Sequence, residues 1–361
     1  MSVDECGKRQ RKKNAVAPDT RSLSVSDMRS IVKLYMPYVR GVTHKKRSDL
    51  CKLLKPYTLH LSEMHTVASS KARLKSVYRM LEYDGRNSCY IDSLLVAFFY
   101  SYATPWIIKR FLMYGKRGGE MHTGIQVKRV LQVLRSLYTQ MRLKHGDKEL
   151  CVLPLRNALS HYFHEADDDM QDIEWTFTQN DPNDVLHALI KILRIKEDVK
   201  VTEHTPNISR RKNVMFNSFM IDQGLLYQAL QERRVVHIKD MFPKFPVSEK
   251  TSMVVDHIKG GLYIPILRNW MDEQKLKTLV TAPVSILNAK LCAILIHNGS
   301  EPDSGHYTTV LRHKKQWVMY DDMNGGVSHV IGPSMDDLWS YKKRYVCRNM
   351  AGLLYLVPPT S

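Results

Sequence analysis

The stretch Leu291–Asp322, LCAILIHNGSEPDSGHYTTVLRHKKQWVMYDD, decides how this chain is read. Cys292 to Ile296 is an unbroken apolar run with polar flanks, the pattern of a buried strand. Asn298 to Gly305, NGSEPDSG, is turn-rich. HYTTVLR and WVMYDD are two more strand-like runs around the polar residues His313 to Gln316. If Arg312 opposes Trp317, then Thr308 opposes Asp321. His306, two residues before Thr308, then shares its face and lies diagonal to Asp321. Diagonal neighbours across a hairpin are roughly 7–8 Å apart at the backbone, within reach of long or polar side chains. The hairpin therefore puts an imidazole beside a carboxylate, which can fix the ring tautomer and support an imidazolium. Pairs of this kind also arise by chance in hairpins of similar composition.

The second informative stretch is Tyr83–Tyr102, YDGRNSCYIDSLLVAFFYSY. Ile91, Leu94, Leu95, Val96, Ala97, Phe98 and Phe99 are apolar on nearly all sides of a helix, which predicts a buried central helix. Gly85, Asn87 and Ser88 are turn and cap residues, so the helix starts at or near Cys89, with Asp92 in its first turn. A thiol at a helix N-terminus has its thiolate stabilised by the dipole and by unpaired N–H groups, as a nucleophile requires. The competing reading, a small buried cysteine, is the commoner fate of a free thiol.

Together the two stretches resemble the ubiquitin-specific protease family. N-S-C-Y-I-D-S-L-L is similar to that family's cysteine box, N-T-C-Y-x-N-S before an apolar helix. Asp92 brings it nearest to the box of the cylindromatosis-type deubiquitinase. H-N-G, then S-G-H-Y, a short strand and W-V-M-Y-D-D resemble the histidine box. The order Cys, His, Asp agrees, whereas the SUMO-protease order, His, Asp, Cys, does not. The resemblance implies Cys89 as nucleophile, His306 as general base, Asp321 as its orienting partner and Asp322 as an assisting acid. It implies that Gly305 lets the Gly-Gly end of a ubiquitin tail approach the backbone. Gln179–Leu193, QNDPNDVLHALIKIL, resembles the segment whose acids meet the arginines of that tail, which assigns Asp181 and Asp184 to tail binding. The residues alone also read as a helix start, Asp181 capping before Pro182. Leu262 onward resembles a further family pattern with Arg268 at its arginine. One departure is Asp84, where the family usually has an asparagine that donates to the oxyanion. Asn87, Ser88 and the Cys89 backbone N–H are the substitutes.

The implied fold is α+β and papain-like. A helical thumb runs from 84 to about 195, and a mostly antiparallel palm sheet runs from about 255 to 358. Residues 196–255 form a reduced fingers region without zinc, since none of the six scattered cysteines forms a C-x-x-C pair. No metal or cofactor is expected. The catalytic domain spans 84–361. Residues 1–22 read as a basic disordered tail, a nuclear-localisation signal or a solubilising arm. Residues 23–70 read as a small basic helical module, weakly similar to the SAP type, with Ser24 or Ser26 capping its first helix. Residues 1–83 hold 18 Lys or Arg against 7 Asp or Glu, so the excess charge is concentrated there and suits polyanions such as DNA. The acidic run 165–174 reads as a solvated loop or as a face for basic ubiquitin. There is no apolar leader and no run long enough for a membrane span. The scattered cysteines fit a reducing compartment, cytoplasm or nucleus. The implied partner is ubiquitin or ubiquitin-conjugated protein, and the implied activity is hydrolysis through a thioester on Cys89. The rival reading is a catalytically weak binding protein on the same scaffold.

Overall fold

The computed structural model describes residues 23–35, 41–54, 81, 87–100, 125–142, 150–166, 170, 173, 175, 180–192, 199–215, 217–242, 244–248, 250–270, 274–300, 304–313, 315–323 and 326–358. The tail 1–22, Asp84, Gln179, residues 55–70 of the small module and much of the acidic run 165–174 lie outside the described residues.

Helix α1 (Val25–Tyr35) and helix α2 (Arg47–Leu54) pack on a core of their own, built from Met28, Ile31, Val32, Val42, Leu50, Cys51 and Leu54. Ser24 opens α1 through a reciprocal cap, its hydroxyl accepting from Asp27 N at 3.0 Å while Asp27 accepts from Ser24 N at 2.9 Å. The Cys51 sulfur lies 3.9 Å from that of Met28 within this core.

The main body begins with helix α3 (Cys89–Tyr100), every residue of which is buried. Ser88 is its cap, its carbonyl accepting from Ile91 N at 2.9 Å and Asp92 N at 3.0 Å. Helices α4 (Ile125–Arg142), α5 (Leu153–Ala166) and α6 (Pro182–Ile192) complete a helical layer around it. Side chains such as Leu94, Leu95, Phe98 and Phe99 are each worth about 1.5–3 kcal/mol in burial, so α3 is held by packing on every side.

Strands β1 (Val199–His204) and β2 (Ser209–Val214) form a hairpin that joins β3 (Lys244–Ser248) and β4 (Thr251–Ile258) in a sheet ordered β2-β1-β4-β3. Helix α7 (Gln223–Gln231) lies between the two hairpins in sequence. This sheet is the reduced fingers region, and residues 196–258 contain no cysteine. The larger sheet comprises β5 (Gly261–Pro265), β6 (Ala289–Asn298), β7 (His306–His313), β8 (Gln316–Asp321), β9 (Gly326–Gly332) and β10 (Met350–Leu356). Its order is β9-β8-β7-β6-β10-β5, with all neighbours antiparallel and Ser285–Ile286 paired on β6. The β7–β8 register pairs Arg312 with Trp317 and Thr309 with Tyr320, as the loop length predicts. Helix α8 (Met335–Asn349) precedes β10 and is broken at Tyr341–Arg344, where Lys342, Lys343 and Arg344 adopt positive φ.

Helix α3 packs across β7. That covers a strand already flanked by β6 and β8, so β7 is buried on both faces over Tyr307–Leu311. Thr309 donates to Ser93 O at 2.8 Å and Tyr320 donates to Leu81 O at 2.9 Å, fixing helix against sheet. Among the described residues no helix is long and apolar enough to cross a membrane.

Candidate active site

The cysteine and histidine boxes meet where the start of α3 faces the start of β7. Cys89 is a free thiol at the first position of α3 and is buried. His306 is the first residue of β7, paired with Asn298 of β6. Its Nε2 lies 2.8 Å from Asp321 Oδ1 and 3.4 Å from Asp322 Oδ1. The Cys89 thiol lies beside the same ring, near enough to interact with it. With Nε2 engaged by the carboxylates, Nδ1 is the nitrogen left for the thiol. Burial works against the charged ring, but the bond to Asp321, the Cys89 thiol and the charges of Asp321 and Asp322 outweigh it and raise the His306 pKa to about 10. Thiol, imidazole and carboxylate thus stand in a line suited to nucleophilic catalysis.

Asp322 is buried beside the pair. Burial is the largest influence on it and the neighbouring Asp321 adds to that, so its pKa rises to about 6 although the His306 charge, a bond to Asp92 and the Met323 N–H pull the other way. Ligand atoms of His306, Asp321 and Asp322 lie within 4.8 Å of one another, a grouping that elsewhere could hold a cation. Nε2 of the ring is engaged by Asp321.

The structure treats the remaining predicted residues unevenly. Asn87 is exposed at positive φ (58°), immediately before the helix start, where it turns the chain into α3. Ser88 is buried and its hydroxyl donates to Asp92 Oδ2 at 2.6 Å, so that hydroxyl cannot serve an oxyanion. Asn87 and the Cys89 N–H remain beside the thiol at the helix start. Gly305 has φ of 130°, and a Cβ there would stand 2.5 Å from Asn298 O and 2.8 Å from Gly299 Cα. Its glycine is thus required by the fold of the β6–β7 connection itself, a reason the sequence did not reveal. Asp181 caps α6, accepting from Asn183 N at 2.7 Å, and also receives Tyr307 OH at 3.5 Å. Tyr307 adjoins His306, so Asp181 and Asp184 belong to the wall of the same site. Desolvation of the Asp181 carboxyl by the surrounding protein, then the neighbouring Asp184, raises its pKa to about 6, against the hydrogen bonds it accepts. Asp184 is likewise raised, chiefly by burial.

Sequence reasoning passed over three residues here. His297 stacks on Tyr307 with ring centroids 4.6 Å apart and faces Ser304 O at 3.2 Å. Burial first, then the Lys275 charge, pushes its pKa down to about 4, so it is a neutral wedge. Lys275 donates to His297 O and, at 3.1 Å, to Asn349 Oδ1, tying the end of β6 to the end of α8. Asn180 donates to Tyr90 OH at 3.2 Å and joins α6 to the cysteine box. The H-x-G spacing before Gly305 was a signal for His297. Lys275 and Asn180 had none.

A family model described as "Ubiquitin carboxyl-terminal hydrolase" matches residues 84–330. The chain therefore belongs to the ubiquitin carboxyl-terminal hydrolase family, and its α+β fold is the papain-like fold of that family, with helical thumb, fingers sheet and palm sheet. Among solved structures it is similar to a chain of the SAGA Ubp8/Sgf11/Sus1/Sgf73 DUB module bound to ubiquitin aldehyde. The TM-score is 0.53 at 10% identity, over 85% of this chain and 76% of that one. It is also similar to the same module with a cysteine-to-alanine variant of Ubp8, bound to monoubiquitin, with TM-score 0.51, 11% identity, and 80% and 71% covered. No curated protein sequence matches this chain.

Proposed function

We propose that this protein is a cysteine-type deubiquitinase with Cys89 as nucleophile, His306 as general base and acid, and Asp321 as orienting group. The observation that carries the reading is the line from the Cys89 thiol through the His306 ring to Asp321, with 2.8 Å at its far end. Cys89 Sγ attacks the carbonyl carbon of the ubiquitin C-terminal glycine, and the Cys89 N–H and Asn87 face the oxyanion. His306 delivers its proton to the departing lysine amine, leaving a thioester. Water, deprotonated by His306, then attacks the thioester and releases ubiquitin and the thiol. Asp321 keeps the ring oriented through both half-reactions. Asp181 and Asp184 offer carboxylates to the arginines of the substrate tail, while Asp181 also caps α6. Asp92 supports a likeness to the cylindromatosis-type box.

The basic helical pair α1–α2, with its separate core, is proposed as a small module of its own that binds DNA phosphates through His44, Lys46 and Lys52, all exposed. The catalytic reading is tested by release of a fluorogenic amide from the ubiquitin C-terminus. Wild type should turn over and Cys89→Ala should not, while both bind ubiquitin. Turnover that survives Cys89→Ala would end the proposal.

A further inference from the structure

One buried acid has no part in the scheme above. Asp92 lies in the first turn of α3, wholly buried, and accepts Ser88 Oγ at 2.6 Å. Its carboxyl lies against the carboxyl of Asp322, close enough for the two to share a hydrogen bond if one is protonated. Asp322 Oδ1 accepts from Met323 N at 2.8 Å and faces His306 Nε2 at 3.4 Å. Asp322 Oδ2 is buried and receives no donor among the described residues. Ionised carboxylates only accept hydrogen bonds, so two of them cannot bond each other unless one carries a proton. Nor can two buried carboxylates in contact both stay ionised, because like charges in a dry site force one pKa up.

The surroundings decide where the charge sits. His306, from β7, is the one cation that faces Asp322 among the described residues, and Asp321, from β8, adds a further negative charge. Tyr320, also on β8, is near both acids, but its phenol is committed to Leu81 O. The imidazolium and the Met323 N–H both favour the ionised form of Asp322, so the proton falls to Asp92.

We propose that Asp92 and Asp322 hold one proton between them, Asp92 as acid and Asp322 as carboxylate, and that the pair positions His306. In this form Asp92 can donate a hydrogen bond, as the asparagine usual at this position of the family box also can. The result is a closed ring of neighbours that ties the helix start bearing the nucleophile to the strand bearing the base: Ser88 bonded to Asp92, Asp92 to Asp322, Asp322 ion-paired with His306, and His306 beside Cys89, which follows Ser88 in the chain. Once the shared proton leaves, two buried anions face each other and the ring opens.

The functional half of this inference rests on the deubiquitinase reading, and the structural half does not. Infrared spectra of the full chain carrying 13C-carboxyl aspartate test the structural half. At about pH 8 ordinary aspartates, with pKa about 3.9, are ionised. A protonated, isotope-shifted carboxyl band should nevertheless persist in wild type and vanish in Asp92→Asn and in Asp322→Asn. Absence of the band in folded wild type overturns the proposal whether or not the protein cleaves ubiquitin. The pH profile of kcat tests the functional half. Asp92→Ala should lower kcat about tenfold with KM unchanged. Asp92→Asn, which donates at every pH, should recover that loss and move the alkaline limb upward toward the titration of His306 itself. An alkaline limb that is the same in Asp92→Asn and wild type would overturn the role in positioning.

Discussion

Replacing Asp321 by asparagine separates the electrostatic role of this residue from its shape. In the wild-type protein the His306 ring titrates at about 10, raised from 6.5. At about 1.4 kcal/mol per pH unit the gap corresponds to a ceiling of about 5 kcal/mol, and screening of a ring that is still part-exposed leaves roughly 2–3 kcal/mol. The sign follows from linkage. A histidine whose folded pKa lies above its unfolded value stabilises fully below pH 6.5, and that contribution is lost as pH rises through about 10. Asp321→Asn removes the nearest carboxylate but leaves Asp322 at 3.4 Å, so the His306 pKa should fall part of the way and not to its ordinary value. Loss of the orienting carboxylate in a triad costs up to about 10⁴ in kcat, and with Asp322 as partial substitute a fall of about 10²–10³ is expected here. The assays are the NMR titration of His306, chemical denaturation from pH 6 to 10, and kcat on a ubiquitin amide. A His306 titration unmoved by Asp321→Asn, or a stability difference between wild type and variant that does not shrink toward pH 10, would refute the reasoning.

Gly305→Ala should cost at least about 2 kcal/mol in denaturation and abolish turnover, because its Cβ must displace Asn298 O at positive φ; a variant of wild-type stability would show that the β6–β7 connection yields easily. Arg268 is buried and donates to Met350 O, Leu276 O, Thr278 O and Cys347 O between 2.6 and 2.9 Å, so Arg268→Met leaves carbonyls unsatisfied and should lower stability by about 3 kcal/mol or more, read by thermal unfolding. Asp181→Asn should raise KM for ubiquitin substrates about tenfold with little change in kcat, and the effect should shrink below pH 6 as the wild-type carboxyl protonates. Equal losses in KM and kcat would instead assign Asp181 to the structure of α6.

What could be read from the sequence was local. The apolar run after Cys89 announced a helix buried on every face, and the short polar loop between β7 and β8 set a register that the structure reproduces pair by pair. The capping serine of α1 was legible for the same reason, since cap and partner are three residues apart. The contacts that escaped join distant parts of the chain. Nothing in the cysteine box shows that Asp92 meets Asp322, because their meeting depends on how α3 crosses the palm sheet. Ser88 looked available to an oxyanion until the same packing turned its hydroxyl onto Asp92. Gly305 was read as room for a substrate, yet its constraint is the close approach of Asn298 and Gly299. Arg268 was marked by resemblance alone and Lys275 by nothing, and the tasks of both appear only when β10 and the end of α8 arrive beside them.

The central claim is that Cys89 is the nucleophile for ubiquitin. The most direct test is to incubate the purified chain with ubiquitin bearing a C-terminal thiol-reactive group, beside a matching SUMO probe, and to map the adduct by mass spectrometry. The account predicts one ubiquitin adduct on Cys89, none with SUMO, and none in Cys89→Ala. An adduct on Cys151, Cys292 or Cys347 instead, or no adduct from a folded sample, would contradict it.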